Sequence, residues 1–502
     1  MKSSQSIMID GSFKFLNKSE RLETVGWDGP DCEKLWRYNQ HYFDDLTATD
    51  GAERHHLQVD FMRDWVANNS PGQGTGWEPY PTSLRIVNWI KWSLSGHQMP
   101  NECLHSLAVQ ARWLSRKLEW HILGNHLFAN AKALIFAGLF FDGKEADKWL
   151  NKGLNILARE MEEQILADGS HFELSPMYHS IVLADVLDLI NLLRAFPCMT
   201  RKVYLGKLRT AAVDMLVWLD TICHPDGEIA FFNDAAFYIA PSPRAIRSYA
   251  SRLNIEPRFS ATNQNTPRFK WCRDSGYVAL EGRHAKVLLD VALIGPEYLP
   301  GHGHADTLSF EMSLFDQRVL VNRGTSRYGT GEVRQIERGT AAHNTVVIND
   351  ENSSEVWSGF RVARRARPFD LVIDNNEDLI KVSCSHDGYK RLSDSSVHRR
   401  SWTFTNGTLL IEDQIHGDFE TAVAYLHFHP DIEIVCADEK VWTLNLPECD
   451  ESVLLVVLKG LPNVAPSLYS PEFGVELPTK CLQIQFDRSD EIAVKISWNA
   501  NG

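Results

Sequence analysis

The chain has 502 residues, 44% of them hydrophobic and 23% charged, with a formal net charge of −14. That is a globular composition with room for two cores, and it excludes wholesale disorder. The acidic balance, without any long Lys/Arg run, argues against a nucleic-acid or anionic-membrane partner, and nine Cys with no CxxC pair argue against a disulfide framework or a Cys-based zinc site.

The scattered thiols fit a reducing compartment. The opening stretch MKSSQSIMIDGSFKFLNKSE lacks the apolar centre of a secretory signal, and no run approaches about 18 uninterrupted apolar residues. The expectation is a cytoplasmic protein without membrane insertion, or a periplasmic one if an export signal has been trimmed.

From about Asp31 to about Arg252 apolar residues recur at three- and four-residue intervals. Helices are predicted over 105–123, 125–141, 146–166, 180–196 and 203–223. Short loops containing Gly, Pro or Asp separate them, which favours antiparallel neighbours in a helical array or toroid.

Three stretches of this half carry residues suited to chemistry. In GWEPYPTSLRIVNWIKW, Trp77 and Tyr80 suit stacking on sugar rings and Arg85 and Asn88 suit anionic or hydroxyl groups, unless the stretch is a Trp-rich core helix. In LGNHLFANAKAL, Asn125 and His126 sit where a helix begins, so Asn125 is either an N-cap or part of an anion site. In DGSHFELSPMYHSIVL, Glu173, Tyr178 and His179 bunch around Pro176. A tyrosine there is half-buried packing, or a phenol whose pKa nearby cations lower so that it can act as base and acid.

After ATNQNTPRFK the period changes from 3.6 to 2, and antiparallel strands follow, with Asn406-Gly407 as a hairpin turn. The boundary is placed near 265, giving domains 1–265 and 266–502. Within PGHGHADTLSFEM the residues Leu308, Phe310, Met312 and Leu314 alternate with polar ones. If the strand reaches back to Gly301, then His302, His304 and Asp306 share one face at about 6.5 Å spacing. His343 follows His304 by 39 residues, so two strands of one sheet would bring the imidazoles together as zinc ligands are brought. EVRQIERGTAAHNT adds Arg334 and Arg338 near His343. No P-loop, GxSxG or HExxH motif occurs, which leaves acid/base or metal-assisted chemistry.

Taken together, LWRYNQHYFDDL, GWEPYPTSLRIVNW, GNHLFANAKALIFAGLFF, DGSHFELSPMYH, GHGHADTLSFEM, ERGTAAHNTVVIND and SSEVWSGFRVARRAR resemble the heparinase II/III family of polysaccharide lyases. The later blocks are similar to those of its branch associated with bacterial surface-polysaccharide clusters. The resemblance implies an α+β multidomain fold: an N-terminal incomplete (α/α) toroid followed by a C-terminal antiparallel β-sandwich. It implies β-elimination of an acidic, uronate-containing polysaccharide, without an organic cofactor, and in some members a homodimer.

By resemblance, Asn125 neutralises the uronate carboxylate with His126 beside it, and Tyr178 and His302 are the base and acid. Arg85, Arg334 and Arg338 are expected to bind acid groups, and Trp77, Tyr80, Asn88, Glu173 and His179 to line the substrate. The cleft is expected where the sandwich closes over the toroid. His304 and His343 match positions that hold a structural zinc in some members. The third such position is an aspartate in a VD(S/P)GT turn, and here it reads VNRGT, with Asn322. A neutral amide is a poor zinc ligand, and Arg323 beside it adds positive charge. Two other readings stay open: a glycosidase on the same toroid, using two of Asp168, Glu173 and Asp234, and a glycan-binding assembly factor without catalysis.

Overall fold

The computed structural model describes residues 4–49, 51–198, 202–257, 266–447, 449–486 and 491–499. By internal contacts it divides into two units that do not meet at one cut in the chain. Unit 1 comprises Met1–Ile165, Ile181–Ala212 and Ala245–Ile255, and unit 2 comprises Leu166–Ser180, Val213–Arg244 and Glu256–Gly502. The expected boundary at 265 falls in 258–265, outside the described residues. The units also differ from the expected halves, because unit 2 takes two segments from the helical half.

Unit 1 is helical. Its helices include His55–Asn68, Pro79–Leu94, Asn101–Leu114, Gly124–Phe140 and Lys144–Gln164. Pro79 and Pro81 open Pro79–Leu94, where a missing N–H costs nothing, and the helix then buries Ile86, Trp89, Ile90 and Trp92. Asn101–Leu114 stops nine residues short of the predicted 123, because Glu119 and Ile122–Leu123 close a turn that redirects the chain before Gly124. The helix Pro176–Ala195 is long and apolar enough to cross a membrane by composition, yet 83% of that stretch is buried inside the protein, as in a core helix.

Unit 2 is built on antiparallel strands. Among the described residues one sheet has eight strands, running from Pro368–Asn375 at one edge to Glu433–Asp438 at the other. A five-stranded sheet (Arg268–Cys272, Tyr277–Gly282, Ala285–Asp290, Phe310–Leu314, Gln317–Leu320) and a four-stranded one (Leu461–Tyr469, Leu477–Gln485, Ala422–His427, Val346–Ile348) meet through a bridge between Leu320 and Phe428. One apolar core unites all three sheets, with Val287, Phe310 and Met312 from the five, Ile348 and Leu426 from the four, and Trp402, Ile411 and Ile496 from the eight. That is a sandwich.

The five-stranded sheet is apolar on both faces. Tyr277, Ala279 and Leu288 turn away from the sandwich core onto a second cluster with Leu174, Trp218, Ile222 and Phe232. This explains the near-continuous apolar run YVALEG, since a strand buried on both sides loses its alternation. The second cluster anchors the segments 166–180 and 213–244 to the sheet, and these carry the residues described next.

Candidate active site

Asp234 is the hub of unit 2. It follows Asn233, a non-glycine residue in left-handed backbone (φ 56°), and its side chain is fully buried. Its carboxylate accepts from His302 Nδ1 at 2.8 Å, His304 Nε2 at 2.9 Å and Arg334 Nη2 at 2.8 Å, with Arg334 Nη1 bonded as well. Burial opposes its charge, but the Arg334 guanidinium and the two imidazole donors outweigh burial and hold its carboxyl well below the usual range. Asp234 therefore stays ionised and fixes both histidines of the HxH motif.

That motif is not a strand. The regular strand begins at Phe310, residues 301–309 form turns, and Leu308 has φ 63°. His302 and His304 converge because they bond the two oxygens of one carboxylate, not because they share a strand face. Gly303 between them is required sterically: a Cβ there would lie 2.5 Å from Ile294. Asp306 turns elsewhere and accepts from the Asn233 N–H at 3.2 Å.

His302 stacks on Tyr178, their ring centroids 3.9 Å apart. With Nδ1 on Asp234, its Nε2 lies 3.7 Å from Glu173 Oε2. The Tyr178 hydroxyl meets that of Tyr328 at 2.9 Å. Tyr178 is 8% exposed, and burial first, then Tyr328, Asp234 and Glu173, push its phenol well above the usual value. This overturns the expected lowering: the neighbours that count are a second phenol and carboxylates, not cations.

His304 Nδ1 and His343 Nε2 are 3.1 Å apart, while the outer nitrogen of His343 bonds the Gly339 carbonyl at 2.8 Å. Burial holds both rings neutral, with pKa values pulled down to about 4 and about 3. Their inner nitrogens converge as ligands would, but the third donor fails. Asn322 Nδ2 donates to the Phe231 carbonyl at 2.9 Å and its Oδ1 accepts from Asn344 N at 3.1 Å. Both ends of the amide are engaged by backbone, so these residues do not fit a zinc ion. Among the described residues no group of three His, Cys, Asp or Glu is placed to hold one.

Several expected substrate contacts are structural instead. Arg334 and Arg338 are fully buried. Arg338 bonds the Gly303 carbonyl at 2.9 Å and those of Ser358 and Arg361 at 3.2 Å, and Arg334 bonds the Gly359 carbonyl at 3.1 Å. His179 is sealed between the His171 N–H and the Met215 carbonyl, and burial pulls its pKa down to about 3. Trp77 packs against Trp65 and Trp113. Arg85 lies over Trp65 at 3.8 Å and bonds Gln110 at 2.9 Å, fully buried. Asn88 bonds the Tyr42 carbonyl at 2.9 Å and Asp44 at 2.7 Å. A long polar side chain within an aromatic helix is held by the core as readily as by a ligand, and spacing alone does not separate the two.

In unit 1 the helix Gly124–Phe140 starts after two left-handed residues, Leu123 (φ 61°) and Gly124 (φ 55°). Asn125 makes no N-cap bond; its side chain is 94% buried (6% exposed) and has no hydrogen-bond partner among the described residues. His126 bonds Glu119 at 3.0 Å and stacks on Tyr80 at 4.3 Å. Asn130 in turn holds Glu119 at 3.0 Å. Asn125 is thus an amide left free at a helix start, beside a half-buried imidazole.

Sequence reasoning missed Tyr328, Glu119 and the part played by Asp234, which it had noted only as an acid for hydrolysis. The structure marks the site by backbone strain instead. Leu123, Leu174 and Asn233, each with positive φ, lie within two residues of Asn125, Glu173 and Asp234. A left-handed non-glycine residue costs about 1 to 2 kcal/mol, and such strain is not visible in residue types.

Two family models match the chain: Heparinase II/III N-terminus over residues 42–257 and Heparinase II/III-like, C-terminal over 264–499. It is 26% identical over 341 residues to a heparin-sulfate lyase of Bacteroides stercoris, covering 63% of this chain and 47% of that one. It is 30% identical over 396 residues to a heparin-sulfate lyase of Bacteroides thetaiotaomicron, covering 69% and 53%. The chain therefore spans about half the length of the curated relatives it matches. A crystal structure of heparinase III superposes with a TM-score of 0.71 at 17% identity over 93% of this chain and 76% of that one. Heparan sulfate lyase HepC from Pedobacter heparinus gives 0.63 at 18% identity over 97% and 81%. The fold is the expected incomplete helical toroid followed by an antiparallel sandwich, and the chain belongs to the heparinase II/III family.

Proposed function

We propose that this protein is a polysaccharide lyase that cleaves an acidic, uronate-containing glycan by β-elimination. The observation that carries the reading is Tyr178 stacked on His302 at 3.9 Å with His302 Nδ1 bound to Asp234 at 2.8 Å. An ionised Asp234 keeps the ring proton on Nδ1, which leaves a lone pair on Nε2 to act as base. Tyr178, its pKa raised, keeps its proton and acts as acid.

In this scheme His302 Nε2 takes the C5 proton of the uronate. The electron pair forms the C4=C5 double bond, the C4–O4 bond breaks, and the departing O4 takes the Tyr178 proton. No water is consumed and no organic cofactor is needed. Charge grows on the uronate carboxylate as C5 is deprotonated, and a hydrogen-bonding amide lowers that barrier. The resemblance alone gives this part to Asn125. The curated relatives named heparin-sulfate lyase support a sulfated glycosaminoglycan as the first substrate to try.

Hydrolysis is less well supported. Asp168 is bonded to Ser275 and Ser170, and Asp234 is locked in its ion pair with Arg334. The third candidate carboxyl, Glu173, lies beside His302, its Oε2 3.7 Å from Nε2.

The test is ultraviolet absorbance during incubation with a panel of uronate polymers, because elimination leaves a conjugated unsaturated uronate. A rise that disappears in Tyr178→Phe and His302→Ala supports the scheme. Chains shortened without absorbance would show hydrolysis, and chains bound but left intact would show a binding protein.

A further inference from the structure

Residues 356–362 form a small ribbon, Val356–Trp357 paired with Arg361–Val362, with Trp357 directly opposite Arg361 and Val356 opposite Val362. Opposite residues share a face. Val362 is 8% exposed, so the valine pair faces inward, while Trp357 is 56% exposed and Arg361 is exposed beside it.

Buried groups hold the ribbon in place. Arg338 grips the carbonyls of Ser358 and Arg361, and Arg334 grips that of Gly359 while paired with Asp234. Gly359 is pressed so close to Gly329 that a Cβ would lie 2.5 Å from its carbonyl oxygen. The next residue, Phe360, is 42% exposed and packs edge-on against His302, with centroids 5.8 Å apart, and against Tyr328 at 5.1 Å.

Other arginines in FRVARRAR are satisfied. Arg364 pairs with Glu355, Arg367 with Glu297, and Arg365 donates to the carbonyls of Pro296 and Glu297. The Arg361 guanidinium has no partner among the described residues. An indole and a free guanidinium side by side match a pyranose that carries an anion: the ring offers an apolar stacking face and the arginine a fork for carboxylate or sulfate. The chain is acidic overall, at −14, so an unpaired cation on a fixed ribbon is no product of a basic surface.

We propose that Trp357 and Arg361 form a glycan subsite beside His302, binding an acidic sugar residue through ring stacking and a carboxylate or sulfate contact, with Phe360 joining it to the reacting groups. The proposal rests on the glycan reading above and adds a position and a chemistry to it.

The experiment uses the full chain with a sulfated and an unsulfated glucuronate-containing oligosaccharide. Calorimetric affinity is measured in Tyr178→Phe protein, where turnover is blocked, and steady-state elimination in otherwise wild-type protein. Trp357→Ala and Arg361→Ala are expected to weaken binding and raise KM by about tenfold each while kcat stays within about twofold, with Arg361→Lys intermediate. Both side chains are exposed, so melting temperatures should not move. An Arg361 effect confined to the sulfated probe identifies sulfate as the anion, and an equal effect on both identifies carboxylate. Binding that depends on both residues without any elimination by the parent protein would uphold the subsite and sink the lyase reading. Unchanged affinity and KM in both alanine variants, or no binding of either probe by the parent, would overturn the subsite.

Discussion

Arg334 and Asp234 form a fully buried ion pair across 100 residues of sequence, and the same carboxylate orients His302 and His304. Asp234→Asn keeps the shape and removes the charge, leaving a buried guanidinium uncompensated. We expect a loss of about 3 to 5 kcal/mol in stability. Under conditions where the variant is still folded, kcat should fall about a hundredfold or more, because an amide no longer enforces the Nδ1–H tautomer of His302. Urea unfolding and elimination kinetics on the same protein measure both. A variant with normal kcat would remove Asp234 from the catalytic arrangement.

The acid and base are separable by pH. Burial and carboxylate neighbours raise the Tyr178 pKa, so the phenol stays protonated above its ordinary range and the acid form is not lost there. The rate should therefore not fall between about pH 7.5 and 9.5. A rate climbing tenfold per pH unit across that window would make tyrosinate the base and reverse the two roles.

Zinc should not be retained. After equilibration with zinc and desalting, the metal content should be well below one per chain, and chelator treatment should leave activity and melting temperature unchanged. The reason is Asn322, whose amide is taken at both ends by Phe231 and Asn344. Stoichiometric zinc would mean that these backbone bonds give way to a metal ion.

Buried neutral histidines should make the protein acid-labile well above the carboxylate range. Burial pulls the pKa values of His41 and His179 down to about 3 and that of His427 to about 4. In the unfolded chain they titrate near about 6.5. The unfolded state therefore binds more protons between those values, and the stability these residues lend is present above about pH 6.5 and lost as the pH falls below it. Each contributes about 1.4 kcal/mol per pH unit in that window. Urea midpoints at about pH 7.5, 6 and 5 should fall in that order.

Arg85→Met should lower stability by about 2 to 4 kcal/mol, because it strips Gln110 and the His41 carbonyl of a buried donor. KM should stay as it was. A large KM change in a protein that melts normally would return Arg85 to the substrate.

Much of the architecture could be read from periodicity. The helices at Gly124–Phe140, Lys144–Gln164, Pro176–Ala195 and Lys202–Ile222 lie within a few residues of the stretches predicted for them. Asn406-Gly407 turns the hairpin between Val397–Phe404 and Thr408–His416, with Thr405 and Thr408 bonded across it. These features are local, set by backbone propensity and by the face each segment buries, so a single segment carries the signal.

Tyr178 and His302 were marked in the sequence as well, as residue types suited to proton transfer. Their stacking, and the carboxylate behind His302, were not, because Asp234 reaches them from a left-handed turn 68 residues upstream of His302. The sequence likewise drew attention to Arg85, Arg334 and Arg338, but charge in a sequence has no address: the same guanidinium binds a ligand or a row of buried carbonyls. Here only the fold decided, by burying all three among structural bonds and leaving Arg361 on an exposed ribbon, its guanidinium without a partner among the described residues.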